Sequence, residues 1–346
     1  MTLTLSRLRR SPPRLSSEKG YTLFTEEAPL SAFDTLWRDN PPIVIVGSTS
    51  VGKTAVAMAL AEMWNAEIIN ADSMQVYTGM NIGTAKPTYE ERERVPFYLL
   101  DIVEPDVQFT VSEWKLRAEQ AFREIIERGK RVIVCGGTGL YIRSLLDNWT
   151  LAKTPENPDI RAVLREELAS VGANVLHERL CEVDSLTAQR LHPNDGVRIV
   201  RALEVFQITG VPISEWQAQD NDPSTRRFAH RFGLTIPRPE LYARIDARVL
   251  QMMEAGFERE VRSLLEKGVP TNLTALKSLG YKELVAYLNG ESDYRTAVDA
   301  IQQNTRHYAK RQQTWFRADP HIEWLDVSNQ APTVVALRIL SKIESR

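Results

Sequence analysis

Cys135 and Cys181 are the only cysteines in a chain of 346 residues. Two thiols so far apart in sequence exclude a disulfide framework and a clustered-cysteine zinc site, and they suit a reducing compartment. Long apolar runs are missing as well. None approaches the roughly 20 residues that a bilayer-spanning helix needs, so a soluble protein without a membrane partner is expected. Neither charge is in excess: 43 Lys and Arg against 45 Asp and Glu leave a formal net charge of −2. A nucleic-acid partner is therefore not announced globally, and any such contact must rest on local patches. Acids are absent from one stretch, residues 1–17, which carries Arg7, Arg9, Arg10 and Arg14 before the first acid at Glu18. That composition resembles an organellar transit peptide. The reading preferred here is a disordered N-terminal extension over 1–40, which leaves the protein cytoplasmic.

What is present alternates between strand and helix signals. Residues 43–46 are a β-branched run entered through Pro41-Pro42, the pattern of a buried parallel strand. An alanine-rich helix is predicted over 54–63, strands over 67–70 and 131–135, and a helix from the capping box Thr110-Val-Ser-Glu113 to about residue 127. The alternation predicts an α/β fold with a three-layer core around a parallel sheet. Pro155 and Pro158 then mark a boundary, after which the pattern turns helical until an apolar strand at 231–236. Residues 155–229 thus read as a helical insertion domain, with 41–154 and 230–346 forming the core. The tail from Leu241 onward is expected to be largely helical.

The chemistry begins at Gly47-Ser48-Thr49-Ser50-Val51-Gly52-Lys53-Thr54, between a strand and a helix. This is the P-loop pattern, in which the backbone curls so that N–H groups and a helix N-terminus converge on phosphate oxygens. Lys53 adds a point charge, and the Thr54 hydroxyl can ligate Mg2+. Nucleotide hydrolysis usually requires an acid at the end of a later strand. Here Val132-Ile-Val134 runs instead into Cys135-Gly-Gly-Thr138. The first acid after a core strand is Asp72, where the carboxyl ends of the strands face the phosphates. It suits proton abstraction from an acceptor; capping of the following segment is the structural alternative.

Long motifs now carry a resemblance. Asp72-Ser73-Met74-Gln75-Val-Tyr77, Gly79-Met-Asn-Ile-Gly83-Thr84, Gly136-Gly-Thr138-Gly-Leu-Tyr141, His192-Pro-Asn-Asp195, Gly280-Tyr281-Lys282-Glu283 and Asn304-Thr-Arg306-His-Tyr-Ala-Lys310-Arg311-Gln312 occur in order. They resemble the tRNA dimethylallyltransferase family, also called tRNA isopentenyltransferases, over nearly all of 42–317. The resemblance implies a P-loop NTPase-like core and transfer of the dimethylallyl group from dimethylallyl diphosphate to N6 of adenosine 37, in tRNAs reading codons that begin with U. It further implies that the loop holds diphosphate rather than ATP, with Arg244 as an additional cation, and that Asp72 takes the N6 proton. Thr138 and Arg161 match positions that contact substrate at the channel mouth. Asp72, Ser73, Met74 and Gln75 would line the pocket of a flipped-out base. Val197, Arg198, Ile199, Val200 and Arg201 match stretches that touch tRNA, as do Lys277, Ser278, Leu279, Gly280, Tyr281 and Lys282. For Arg198 and Arg201 a solvated helix face is the alternative.

The tail adds its own signal. Arg306, Lys310 and Arg317 are spaced to form one basic helix stripe, with no acid between Asp299 and Asp319, a candidate contact for RNA phosphates. Pro96-Phe97-Tyr98-Leu99 departs from the family, many of whose members carry two histidines there, and puts any histidine role in doubt. With two cysteines, the zinc finger of many eukaryotic members is excluded. The competing readings are an adenylate isopentenyltransferase acting on free AMP, ADP or ATP, and a P-loop kinase. A monomer is the simplest assembly.

Overall fold

The computed structural model describes residues 31–149, 156–220 and 226–345. The first half of the core runs α1 (Ala32–Asp39), β1 (Ile43–Gly47), α2 (Lys53–Trp64), β2 (Ala66–Asn70), α3 (Tyr89–Arg94), β3 (Phe97–Tyr98), α4 (Val111–Glu127), β4 (Arg131–Cys135) and α5 (Gly139–Leu146). Five helices follow: α6 (Pro158–Val171), α7 (Ala173–Val183), α8 (Ser185–Arg190), α9 (Gly196–Thr209) and α10 (Ile213–Asp220). The chain returns through β5 (His230–Thr235), α11 (Arg238–Glu254), α12 (Phe257–Glu266), α13 (Tyr281–Leu288), α14 (Tyr294–Arg317), β6 (Glu323–Asp326) and α15 (Pro332–Glu344).

The six strands form one sheet in the order β3-β2-β4-β1-β5-β6, with every pairing parallel. Strand side chains alternate between faces, and both faces are covered. Val44, Val46, Ile69, Val132 and Val134 pack toward α1, α4, α5 and α14, while Ile43, Ile45, Ile68 and Ile133 pack toward α2 and α15. This is the expected three-layer α/β core. The five central helices have a cluster of their own, built on Leu164, Leu176, Leu180, Ile199 and Leu203, and no strand occurs among their described residues. Among the described residues, no helix is long and apolar enough to cross a membrane.

One expectation needs correcting, and two others gain detail. Residues 32–39 are not a disordered extension. Ser31 caps α1, and Phe33 and Trp37, four apart, bury one face, Trp37 stacking on Phe122 at 4.7 Å. The readings made on residues 1–30 lie outside the described residues. The tail carries a strand, β6, whose four residues gain their hydrogen bonds only from β5. The Phe97-Tyr98 pair forms the short edge strand β3, where the Tyr98 hydroxyl donates to Glu67 at 2.7 Å. Burial and then the Glu67 carboxylate push its pKa up to about 12. This departure from the family pattern is met by local hydrogen bonding, and neither residue lines either of the two cavities described below.

Candidate active site at the carboxyl ends of the strands

The phosphate loop leaves β1 at Gly47, whose φ is +145°. A Cβ there would sit 2.7 Å from the carbonyl oxygen of Leu234 on the neighbouring strand, so only glycine allows so close an approach. Ser50 and Gly52 also have positive φ, at 61° and 98°, and the loop curls into α2, whose first turn has no side-chain cap. The orphan N–H groups of that helix end are therefore free for an anion. Ser50 Oγ is buried with no hydrogen-bond partner, which marks a place for a ligand oxygen. Lys53 Nζ donates to Ser48 O at 2.8 Å. Burial pushes its pKa down to about 8, with the Asp72 carboxylate pulling the other way.

Asp72 follows β2 and lines the same cavity as Thr49 and Ser50. Its Oδ1 accepts the Met74 N–H at 2.9 Å, so the capping role anticipated as an alternative is real and occupies one oxygen. Thr138 Oγ1 accepts from Ser73 N at 2.9 Å and lies 3.2 Å from Ser73 Oγ, which couples the turn after β4 to the Asp72 segment. The missing acid after β4 also has a steric cause. A Cβ on Gly136 would lie 2.1 Å from the carbonyl oxygen of Ala71, so no carboxylate can stand there.

The cavity measures about 610 Å³ and runs from the phosphate loop past Met74 to the 277–282 segment, walled by α11 and α14. Asp72 is the only acid among its described lining residues, against Arg248, Lys277, Lys282 and Arg311. Gln75 does not line it; its Nε2 donates to the carbonyls of Thr84 and Ala85 and braces the cavity wall. Tyr281 reaches the lining but is a packing residue, buried edge-on against Phe257 with its hydroxyl donating to Glu260 at 2.6 Å. The same Glu260 carboxylate accepts from the N–H groups of Asn81, Ile82 and Gly83.

Arg244 is not at the site. It pairs with Glu240 at 2.7 Å and is absent from the cavity lining. One helical turn later, Arg248 takes that place, and burial lowers its pKa against the pull of Asp72. Both arginines lie on the same face of α11, so spacing alone could not choose between them. The sequence reading also missed Tyr308 and Arg311, which line the cavity, and Gln312 beside them.

The residues assigned to tRNA separate into three groups. Arg161 and Arg201 both close on Glu204, at 2.9 Å each. In the same stretch Val197 is 80% exposed, and Arg198 projects outward beside Asp195, whereas Ile199 and Val200 are buried in the insertion cluster and offer no side chain to a partner. Arg306 is held by Asp246 of α11, which takes it out of the basic stripe. Lys310 instead borders a second cavity of about 870 Å³ between α5 and α14, with Arg143, Arg226, Arg231 and Trp315. Arg311 borders both cavities.

A family model described as IPP transferase matches residues 75–319. The chain is 48% identical over 292 residues to tRNA dimethylallyltransferase 1 of Trichlorobacter lovleyi, covering 84% of this chain and 95% of that protein. The structure of a full-length tRNA isopentenylpyrophosphate transferase from Bacillus halodurans superposes with a TM-score of 0.65 at 36% identity, covering 88% of this chain and 97% of that one. A eukaryotic dimethylallyltransferase captured acting on tRNA reaches a TM-score of 0.73 at 28% identity, covering 88% and 80%. The family model spans most of the chain and the relatives are matched over most of their length, and the chain belongs to the IPP transferase family.

Proposed function

We propose that the protein transfers the dimethylallyl group of dimethylallyl diphosphate to N6 of adenosine 37 in tRNAs reading codons that begin with U, giving N6-(dimethylallyl)adenosine and diphosphate. The observation that carries this reading is Asp72, the single carboxylate among the described lining residues of a cavity whose other charged residues are cations, beside the phosphate loop. The diphosphate lies on the free N–H groups of the 47–54 loop, from Ser50 into the start of α2, with Lys53 and Arg248 about it. As N6 attacks C1, the C1–O bond breaks and its electron pair goes to the departing diphosphate. Preorganised donors stabilise that charge in the transition state. The N6 proton passes to the Asp72 carboxylate, while Thr138 and Ser73 hold the turn beside it.

Mg2+ fits this donor set. The Thr54 hydroxyl makes no hydrogen bond among the described residues, and an oxygen-only site shared with phosphates suits a small hard cation that keeps most of its waters. No cluster of three or more acids, histidines or cysteines is present among the described residues, so a site made of protein ligands alone is not the fit. Mg2+ held by Thr54 and the diphosphate would supply positive charge to the leaving group.

The adenine has to leave the anticodon stack to reach C1 and would enter between Met74 and the 277–282 segment. Exposed Val197 and Arg198, the outer edges of Arg161 and Arg201, and Lys310 are the surfaces offered to the rest of the anticodon arm. The enzyme acts as a cytoplasmic monomer in this reading. Incubation with labelled dimethylallyl diphosphate and either tRNA or AMP tests it. Label should enter tRNA. Label in AMP alone would establish the adenylate isopentenyltransferase, and phosphate release from ATP in place of prenyl transfer would establish the kinase.

A further inference from the structure

Glu260 lines neither cavity and enters none of the steps above, yet its carboxylate collects four donors. Oε2 accepts the N–H groups of Asn81 and Ile82 at 2.8 and 2.7 Å. Oε1 accepts the Gly83 N–H at 3.1 Å and the Tyr281 hydroxyl at 2.6 Å. Successive N–H groups that converge on one point form an anion-binding concavity, and here a side chain of α12 fills it. The turn shapes itself through the Ala85 and Lys86 N–H groups, which return to the carbonyls of Ile82 and Asn81. Those bonds do not place it against α12. Glu260 does, and bonds to an ionised acceptor are roughly twice as strong as neutral ones.

The two donors on Oε1 come from different parts of the smaller cavity, and both Gly83 and Tyr281 line it. A Cβ on Gly83 would lie 2.1 Å from Phe257 Cε2 and 2.6 Å from Tyr281 Cε2, and one on Gly280 would lie 2.8 Å from Phe257. The 81–83 turn and the 280–281 segment thus meet on Phe257 and Glu260, which are neighbours on one face of α12. One supplies the apolar half of the joint and the other the polar half. From the turn, order passes to the Asp72 segment through Gln75, whose Nε2 donates to the carbonyls of Thr84 and Ala85 at 3.0 and 3.3 Å. None of these partners belongs to the phosphate loop.

We propose that Glu260 is a positioning residue for the acceptor adenine. It locks the joint where the wall carrying residues 72–75 meets the wall carrying 277–282, and so sets the slot that the base enters. The reach of N6 to the Asp72 carboxylate then depends on a residue that touches no reacting atom and acts through Gly83 and Tyr281. The assignment rests on the reading of the cavity as the place of prenyl transfer to tRNA.

Single-turnover transfer of label from dimethylallyl diphosphate to saturating tRNA tests it on the full chain. Calorimetry with inorganic diphosphate is the control for the phosphate loop. Glu260→Gln keeps the shape of the side chain but turns an NH2 group toward the N–H donors. It should lower the transfer constant by about 10- to 100-fold, the cost of a small misplacement of reacting groups, and leave diphosphate affinity within about twofold. Tyr281→Phe removes only the bridging hydroxyl and should lower the constant by about three- to tenfold. Because both act through one joint, the double variant should be no slower than Glu260→Gln alone, a non-additivity that mere loss of stability does not produce. Melting curves identify the folded variants. A wild-type transfer constant in folded Glu260→Gln overturns the assignment, as do additive losses in the double variant or an equal loss of diphosphate affinity. If Glu260→Gln does not fold, Tyr281→Phe carries the test alone, and an unchanged constant there overturns it. A wild type that labels no tRNA instead overturns the reading of the cavity on which the assignment rests.

Discussion

The cations at the strand ends and those of the helical insertion are held in opposite ways. Lys53 on the phosphate loop and Arg248 in the wall of the smaller cavity have no ion pair among the described residues, and burial lowers the pKa of both, opposed by Asp72. Arg161 and Arg201 share Glu204, whose carboxylate is fully buried. Burial alone would raise the Glu204 pKa, but the Asn157 N–H and the two guanidinium groups outweigh it and lower it. A desolvated cation without a counter-ion is costly, and an anion bound beside it would relieve that cost. A cation already neutralised by a buried carboxylate gains less from a ligand and serves mainly to hold helices together. The site at the strand ends is thus electrostatically incomplete, whereas the insertion is complete as it stands.

The contrast can be broken at either end. Asp72→Asn should lower kcat by about 10³, in the range of a lost general base, while inorganic diphosphate still binds; single-turnover transfer and calorimetry check the two halves. Full activity in this variant would remove Asp72 from the chemistry. Arg248→Ala should raise the KM for dimethylallyl diphosphate by roughly ten- to a hundredfold, the worth of a hydrogen bond between charged groups. Arg244→Ala should leave it within about twofold, because that side chain is a half-exposed partner of Glu240. Equal effects would erase the distinction between the two arginines.

Glu204→Gln should destabilise the fold by about 1–3 kcal/mol, discounted from a fully buried pair because Arg161 and Arg201 keep 23% and 26% of their side-chain surface exposed. Denaturant midpoints measure it, with diphosphate affinity unchanged. Since Glu204 has a lowered pKa, its contribution is present above the ordinary carboxylate range and fades as pH falls below about 4.5. The smallest effect is in protons. With Lys53 at about 8, the free enzyme sheds its proton above pH 8, whereas bound diphosphate favours the charged form. Diphosphate binding at pH 9 should therefore take up close to one proton and weaken with rising pH, and at pH 7 it should take up almost none. Calorimetry in buffers of different ionisation enthalpy reads this directly, and equal uptake at both pH values would place the Lys53 pKa elsewhere.

How much of this was legible in the residues depended on how locally each part is built. The strands at 43–47, 66–70 and 131–135 and the helix begun by Thr110 stand where their patterns put them, because burial on both faces and a capping box are written within a few neighbours. Helix α1 escaped notice because its single apolar face, Phe33 and Trp37, is short and has meaning only against Phe122. Strand β6 is invisible without β5. The stretch from Val197 to Arg201 shows the limit for sites: a motif spans the helix, but which side chains face inward is decided by Leu164, Leu176 and Leu180 on other helices.

By itself the sequence determined the phosphate-loop end of this protein. A phosphate loop is eight consecutive residues whose glycines, lysine and following helix carry their geometry with them, and the glycines after β4 excluded a hydrolytic acid. The tertiary structure alone decided the rest of the site: Arg248 in place of Arg244, Arg306 withdrawn to Asp246, and Gln312 seated on Thr49 across 263 residues. Those choices depend on how α11 and α14 rotate as they pack over the ends of the strands. Helical spacing places residues one turn apart on the same face, and only contact with a neighbouring element selects between them.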